Sequence, residues 1–317
     1  MILLLESLHA EAEALLERVG PVVRAVDPNE PPAELSGVRA ILTRGRGRIP
    51  EALLARCPAL VVIARAGAGL DNLDTAAAAR RGIAVIFAPG ANTSTVAEHT
   101  LALMLDLARG ITRSARAVAA GRWEERARYR GDELAGLTLG IVGYGSIGRR
   151  VAALAAAFGM QVLVAAHTSR ADDHARAEAE GSPPRLPLSE LLAAADVVTL
   201  HLPLTPATRR LIGAAELARM KRGALLVNTA RGALVDMPAL RSALARGDLG
   251  GFAADVLDVE PPAPDDPLLG AENVLLTPHV ASLTAASYRA LCRFTAENVA
   301  RVLRGEAPDP RSVFRGA

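Results

Sequence analysis

From the first residue onward, short apolar runs alternate with longer stretches whose apolar residues recur every three or four positions. Residues 2–5 read as a strand, and 10–19 as an amphipathic helix stopped by Gly20-Pro21. Further strands are predicted at 40–43, 60–64 and 83–87, the last closed by the turn Ala88-Pro89-Gly90. The stretch 95–109 holds no breaker and predicts one long, mostly apolar helix. A second series of strands follows near 138–142, 161–165, 197–200, 224–228, 251–256 and 274–277. Strands alternating with helices predict βαβ units and parallel sheets. The stretch 285–304 predicts a helix with no strand to follow it, and it is expected to return to the first domain.

One strand-to-helix junction stands apart from the others. The apolar run 138–142 ends in Gly143-Tyr144-Gly145-Ser146-Ile147-Gly148, and a helical pattern follows at once. In a dinucleotide-binding turn the first glycine permits the tight bend and the second lets backbone approach a pyrophosphate. The third lets helix and strand pack closely, with the helix N-terminus facing the anion. The motif lies in mid-chain, so another domain is built ahead of it. The fold class expected is α/β, with two Rossmann-like domains, parallel sheets and an inter-domain cleft. The boundaries predicted are 1–97, 98–284 and 285–317, the first and last segments forming one discontinuous domain.

Three late segments deliver polar residues to the C-terminal ends of predicted strands, the edge where ligands bind in open α/β sheets. They are Asn228-Thr229-Ala230-Arg231-Gly232, Asp255-Val256-Leu257-Asp258-Val259-Glu260 and Thr277-Pro278-His279-Val280-Ala281. Taken singly, Arg231 reads as a solvated arginine, Glu260 as a turn residue and His279 as a helix cap. Taken together they form a working set. Arginine holds a carboxylate bidentately, histidine moves a proton near neutral pH, and a carboxylate orients the imidazole.

With these motifs the chain resembles the D-isomer-specific 2-hydroxyacid dehydrogenase family. The resemblance runs from Arg65 to Ser282. It also rests on Arg65-Ala66-Gly67-Ala68-Gly69-Leu70-Asp71-Asn72, Asn92-Thr93-Ser94-Thr95-Val96-Ala97-Glu98 and His201-Leu202-Pro203-Leu204-Thr205. It implies that Arg231 binds the substrate carboxylate, that His279 is the acid/base and that Glu260 is its partner. It further implies a carboxylate cradle of Ala66, Gly67, Ala68 and Gly69 amides in a substrate domain built from both chain ends. Ser146 and Ile147 would meet the pyrophosphate, with Gly143, Gly145 and Gly148 shaping the turn. Leu202, Thr229, Ala230, Asp255, His279 and Ala281 would line the rest of the cofactor trough, Thr100 flanking the nicotinamide. A homodimer is the family expectation.

The activity so implied is hydride transfer between a nicotinamide cofactor and a small 2-oxo or 2-hydroxy acid, in the manner of a glyoxylate/hydroxypyruvate-type reductase. D-3-phosphoglycerate dehydrogenase is the alternative within the family, and an NAD(H)-sensing corepressor-like binding module the alternative outside it. Glu260 speaks against formate oxidation, since formate enzymes that resemble the family carry Gln there. One departure bears on the cofactor. The acid that binds a ribose 2′-hydroxyl is expected about 20 residues past the glycines, and Ala166 stands there, followed by Thr168, Ser169 and Arg170. Nothing at Ala166 repels a 2′-phosphate, so NADP(H) is favoured over NAD(H). The loop Arg44-Gly45-Arg46-Gly47-Arg48 reads as a solvated turn, with phosphate binding as its other reading.

Composition narrows little else. The chain has 317 residues, 50% hydrophobic and only 3% aromatic, so its cores must be aliphatic. A net charge of +2 and the lack of a dense basic run with aromatics leave no nucleic-acid footprint. The two cysteines lack metal-ligand spacing and suit a reducing compartment. No run approaches the roughly 20 apolar residues of a membrane span. The expectation is a soluble, cytoplasmic protein with no metal site and no regulatory domain after its last helix.

Overall fold

The computed structural model describes residues 1–166 and 182–315. The chain divides into two compact units, Met1–Asn92 with Ser282–Ala317, and Thr93–Ala281. These boundaries fall at 92/93 and 281/282, against the expected 97/98 and 284/285. The first differs because the helix opening the second unit is one continuous element, Thr93–Arg109, whose first turn stays with the rest of it.

In the first unit, strands β1 (Ile2–Leu4), β2 (Val22–Arg24), β3 (Ala40–Thr43), β4 (Val62–Arg65) and β5 (Ala84–Ile86) form a parallel sheet ordered β2-β1-β3-β4-β5. Its central strands are buried throughout, as a sheet covered on both faces requires. Helices α2 (Glu51–Ala55) and α3 (Thr75–Arg80) supply Leu53, Leu54, Ala77 and Ala78 to one core. The other core joins Ala12 and Leu16 of α1 (Ala10–Glu17) to Cys292, Ala296 and Val299 of the C-terminal helix. That helix spans Ala285–Leu303, with Thr284 capping its N-terminus through the Ser287 amide. Strand β2 escaped the sequence pattern because it is a three-residue, partly exposed edge directly after Gly20-Pro21.

The second unit opens with α4 (Thr93–Arg109) and α5 (Ile111–Ala119). Val96, Ala97, Thr100, Leu101, Leu103 and Met104 form the buried stripe of α4, at the spacing of one helical face. Strands β6 (Thr138–Val142), β7 (Gln161–Ala165), β8 (Arg185–Leu186), β9 (Val197–Leu200), β10 (Ala224–Asn228), β11 (Leu249–Ala254) and β12 (Val274–Leu276) form a seven-stranded sheet. All are parallel, in the order β12-β11-β10-β9-β6-β7-β8. Helices α6 (Ser146–Ala157), α7 (Leu188–Ala194), α8 (Ala214–Arg219) and α9 (Met237–Ala245) fall between these strands in the chain. The core is aliphatic apart from the fully buried Phe252 on β11, a burial that stabilises by about 1.5–3 kcal/mol. Chain direction across the sheet reverses between β6 and β9, so their C-terminal ends flank the switch point at which such folds bind ligands.

Candidate active site

The glycine turn lies at that switch point, and its three glycines have separate reasons. Gly143 has φ +105°, and a methyl there would sit 2.5 Å from the His201 carbonyl oxygen on the β9 loop. A methyl on Gly148 would sit 2.1 Å from the Gly143 carbonyl oxygen, so α6 could not approach the turn. At Gly145 a methyl would meet nothing within 4 Å. That glycine is not demanded by the protein's own packing; it leaves open space before the exposed Ser146 and half-buried Ile147. No side chain caps α6, which leaves its first-turn amides to an external anion. Leu202 packs over the turn, its Cδ2 lying 3.0 Å from where a Gly143 methyl would stand. The donor set therefore fits a dinucleotide pyrophosphate. Ala166 directly follows β7; Thr168, Ser169 and Arg170 lie outside the described residues.

The triad residues follow β10, β11 and β12. His279 Nδ1 lies 2.8 Å from Glu260 Oε2, and Glu260 Oε1 accepts the Leu257 amide at 2.9 Å. The hydrogen bond to Glu260 raises the His279 pKa against the opposing effect of burial. Burial works to raise the Glu260 carboxyl, yet its bonds from His279 and the Leu257 amide outweigh it and the carboxyl lies below its usual range. The positive field of Arg231 acts on both partners, lowering each. With Nδ1 engaged, Nε2 is the imidazole nitrogen left for a substrate.

Arg231 is shaped by its neighbours. The fully buried Asn228 side chain donates to the Arg231 carbonyl oxygen at 2.8 Å and accepts the Ala230 amide at 3.0 Å, closing the turn after β10. Gly232 lets the Leu257 backbone press against this turn, since a methyl there would lie 1.9 Å from the Leu257 carbonyl carbon. His279 itself has φ +55°, the left-handed region, which costs a non-glycine residue about 1–3 kcal/mol unless its surroundings hold it. Its amide donates to the carbonyl oxygens of Asp255 and Thr277 at 2.9 and 3.0 Å.

Two of the expected cofactor residues are tied to their surroundings by several hydrogen bonds. Asp255 is 2% exposed, and its carboxylate accepts the Thr277 hydroxyl at 2.6 Å, the Val280 amide at 2.8 Å and the Ala281 amide at 2.7 Å. Three donors from residues 277–281 converge on this carboxylate and hold the loop, with two on Oδ1 and one on Oδ2. Thr100 is wholly buried; its hydroxyl donates to the Val96 carbonyl at 2.8 Å and meets the Thr229 hydroxyl at 2.9 Å. It supports Thr229 and presents no hydroxyl of its own. Ala281 is likewise buried, its amide taken by Asp255.

In the first unit, Ala66, Gly67, Ala68 and Gly69 follow β4. The Ala66 and Gly67 amides donate to the carbonyl oxygens of Thr43 and Arg65, each at 2.9 Å. Of these four amides, those of Ala68 and Gly69 are not engaged in this way among the described residues. The arginine loop is held from within the chain. The buried Glu6 Oε2 accepts the amides of Arg44, Gly45, Arg46 and Gly47 at 2.9, 2.8, 3.0 and 3.1 Å, and the Thr43 hydroxyl at 2.8 Å. The chain's own carboxylate fills the anion nest of this loop. Burial works to raise the Glu6 carboxyl, but these donors outweigh it and hold the carboxyl below its usual range. Arg44 stacks its guanidinium 5.0 Å from the centre of the Tyr288 ring.

Sequence reasoning gave no role to Asn228, Gly232, Thr277 or His99. Only the Asn and the Gly flanking the turn after β10 carried a local signal. Among the described residues no cluster of metal-ligating side chains occurs, and no helix is long and apolar enough to cross a membrane.

Residues 101–281 match the family profile described as "D-isomer specific 2-hydroxyacid dehydrogenase, NAD binding domain". The D-3-phosphoglycerate dehydrogenase of Methanocaldococcus jannaschii is 39% identical over 310 residues, 96% of this chain, although the chain spans only 58% of that protein's length. The (S)-sulfolactate dehydrogenase of Chromohalobacter salexigens is 43% identical over 268 residues, 84% of this chain and 85% of that protein. A crystal structure of a glyoxylate reductase from Paecilomyes thermophila superposes with a TM-score of 0.87 at 30% identity, covering 99% of this chain and 98% of that one.

Proposed function

The chain belongs to the D-isomer specific 2-hydroxyacid dehydrogenase family, and from this we propose that it reduces a small 2-oxo acid to its D-2-hydroxy acid, as a glyoxylate/hydroxypyruvate-type reductase using NADP(H) in preference to NAD(H). The observation that carries the proposal is the His279–Glu260 pair at 2.8 Å, within the field of Arg231.

The α6 amides of Ser146, Ile147 and Gly148 would hold the dinucleotide pyrophosphate, and a reduced nicotinamide bound there would supply the hydride. The chain's own groups do the rest. Arg231 holds the substrate carboxylate and stabilises negative charge as it grows on the carbonyl oxygen. Protonated His279 gives its Nε2 proton to that oxygen, and Glu260 stabilises the imidazolium that precedes the transfer. In the first unit, the Ala68 and Gly69 amides would be donors to an anion. Preference for NADP(H) is supported by Ala166 at the position of the discriminating acid.

A phosphorylated substrate, as named for the M. jannaschii relative, would find the amides of the arginine loop already taken by Glu6 and would depend on arginine side chains alone. This favours the unphosphorylated acids. A homodimer is proposed on the strength of Ile111, Val118 and Trp123 on and beside α5, which are 55%, 54% and 68% exposed. The binding-module reading is disfavoured by the proton-transfer pair, for which cofactor sensing alone has no use.

The test is initial-rate kinetics with glyoxylate, hydroxypyruvate and 3-phosphohydroxypyruvate, each with NADH and with NADPH, on the wild type and on His279→Ala. Turnover of the first two acids that is lost in the variant is the expected result. Binding of the dinucleotide without turnover of any 2-oxo acid would refute the reductase.

A further inference from the structure

One turn of α4 reaches two of the loops that build the site. Thr100 meets Thr229 after β10, as described, and its chain neighbour His99 turns to the loop after β12. His99 Nε2 lies 3.0 Å from Thr277 Oγ1 and 3.6 Å from Asp255 Oδ1. The Thr277 hydroxyl donates its proton to Asp255 Oδ1 at 2.6 Å, so it has only lone pairs to offer His99. This fixes the His99 ring as a donor through Nε2–H. From Asp255 the bonds continue to the backbone on both sides of His279. The Asp255 carbonyl takes the His279 amide, and its carboxylate takes the amides of Val280 and Ala281. A continuous chain of hydrogen bonds thus runs from an α4 side chain to the one histidine of the described residues held at positive φ.

We propose that His99 is a positioning residue. By donating to Thr277 it locks the Thr277–Asp255 pair, which keeps His279 in its left-handed conformation and its Nδ1 against Glu260. The proposal rests on the reading of His279 as the acid/base of a 2-oxo acid reductase. The charged groups acting on His279 are Glu260, Asp255 and Arg231, and the charged group facing His99 is Asp255. If the brace is removed, the Glu260 bond loosens and the raised His279 pKa relaxes downward.

The experiment compares His99→Leu, His99→Gln, Thr277→Val and the double variant His99→Leu/Thr277→Val. Glutamine places an amide N–H at about the reach of imidazole Nε2, whereas leucine offers no donor. Two measurements are made: kcat and KM for glyoxylate reduction, and the NMR titration of the His279 imidazole. That signal is assigned among the six histidines by its loss in His279→Gln. In His99→Leu, kcat is expected to fall about tenfold, in line with the sensitivity of catalysis to sub-ångström misplacement. KM should change less than about twofold, and the His279 titration should move to lower pH. His99→Gln should restore both, and the double variant should fall no further than Thr277→Val. A glutamine variant as impaired as the leucine one, additive losses in the double variant, or an unmoved titration each overturns the proposal. The titration needs neither substrate nor cofactor, so it judges His99 even if the wild type reduces no 2-oxo acid. Should His99→Leu fail to fold, Thr277→Val and His99→Gln still decide the matter.

Discussion

Glu260→Gln isolates the charge of the His279 partner while keeping its size and one acceptor oxygen. In the wild type the pair is separated by 2.8 Å, with side chains 48% and 39% exposed. A hydrogen bond to a charged group contributes about 1.5–3 kcal/mol when well shielded. Half exposure screens this to about 1 kcal/mol. The sign follows from the direction of the shift: Glu260 stabilises imidazolium, so its charge raises the His279 pKa and extends the protonated form to higher pH. Reduction consumes that form. Removing the charge therefore moves the alkaline limb of kcat/KM for reduction to lower pH. On that limb the rate should fall about fivefold, the kinetic equivalent of 1 kcal/mol. At acid pH, where His279 is protonated in both enzymes, the two rates should converge. Stopped-flow or initial-rate measurements of glyoxylate reduction from pH 5 to 9 would resolve this. A loss of equal size at every pH would mean that Glu260 acts by shape alone, and an unchanged profile would refute the pairing.

Three further outcomes are expected. Glu6→Gln removes the carboxylate that accepts five donors from residues 43–47 and should cost about 1.5–3 kcal/mol in urea unfolding, the worth of hydrogen bonds to a charged group. Folded Glu6 binds its proton less tightly than an unfolded glutamate of pKa about 4.3. Its stabilisation is thus complete above that pH and lost as pH falls through the lower folded value, so the variant should show a weaker acid dependence; equal stability curves would sink the nest. Gly148→Ala places a methyl 2.1 Å from the Gly143 carbonyl oxygen and should abolish dinucleotide binding by calorimetry, whereas wild-type affinity would remove the glycine turn from the cofactor site. Ala166→Asp restores a carboxylate at the end of β7 and should weaken NADPH at least about tenfold while sparing NADH; an unchanged ratio would place the discrimination elsewhere.

What the sequence revealed and what it hid divide along a physical line. Periodicity reports burial, so the buried central strands were found close to their true ends: β6, β7, β9 and β10 match the predicted bounds. The edges β2 and β8 were not, because they are short and partly exposed and carry no run of apolar residues. In the candidate site, residues with a chemical signature were legible: the glycine spacing, and the arginine, glutamate and histidine at strand ends. The residues that aim them were not. Whether Asp255 faces a ligand or braces a loop depends on what its two oxygens accept, and whether the Ala66 and Gly67 amides are free depends on β3 lying beside β4. Glu6 is the sharpest case. A lone acidic residue after the first strand and an arginine-rich loop some forty positions later gave no sign of each other, yet parallel pairing of β1 with β3 brings them together, so that the Glu6 carboxylate fills the nest of the loop's amides. Hydrogen-bond partnership between distant loops is set by topology, so one sequence displayed the residue types of the candidate site but not the bonds that hold them in place.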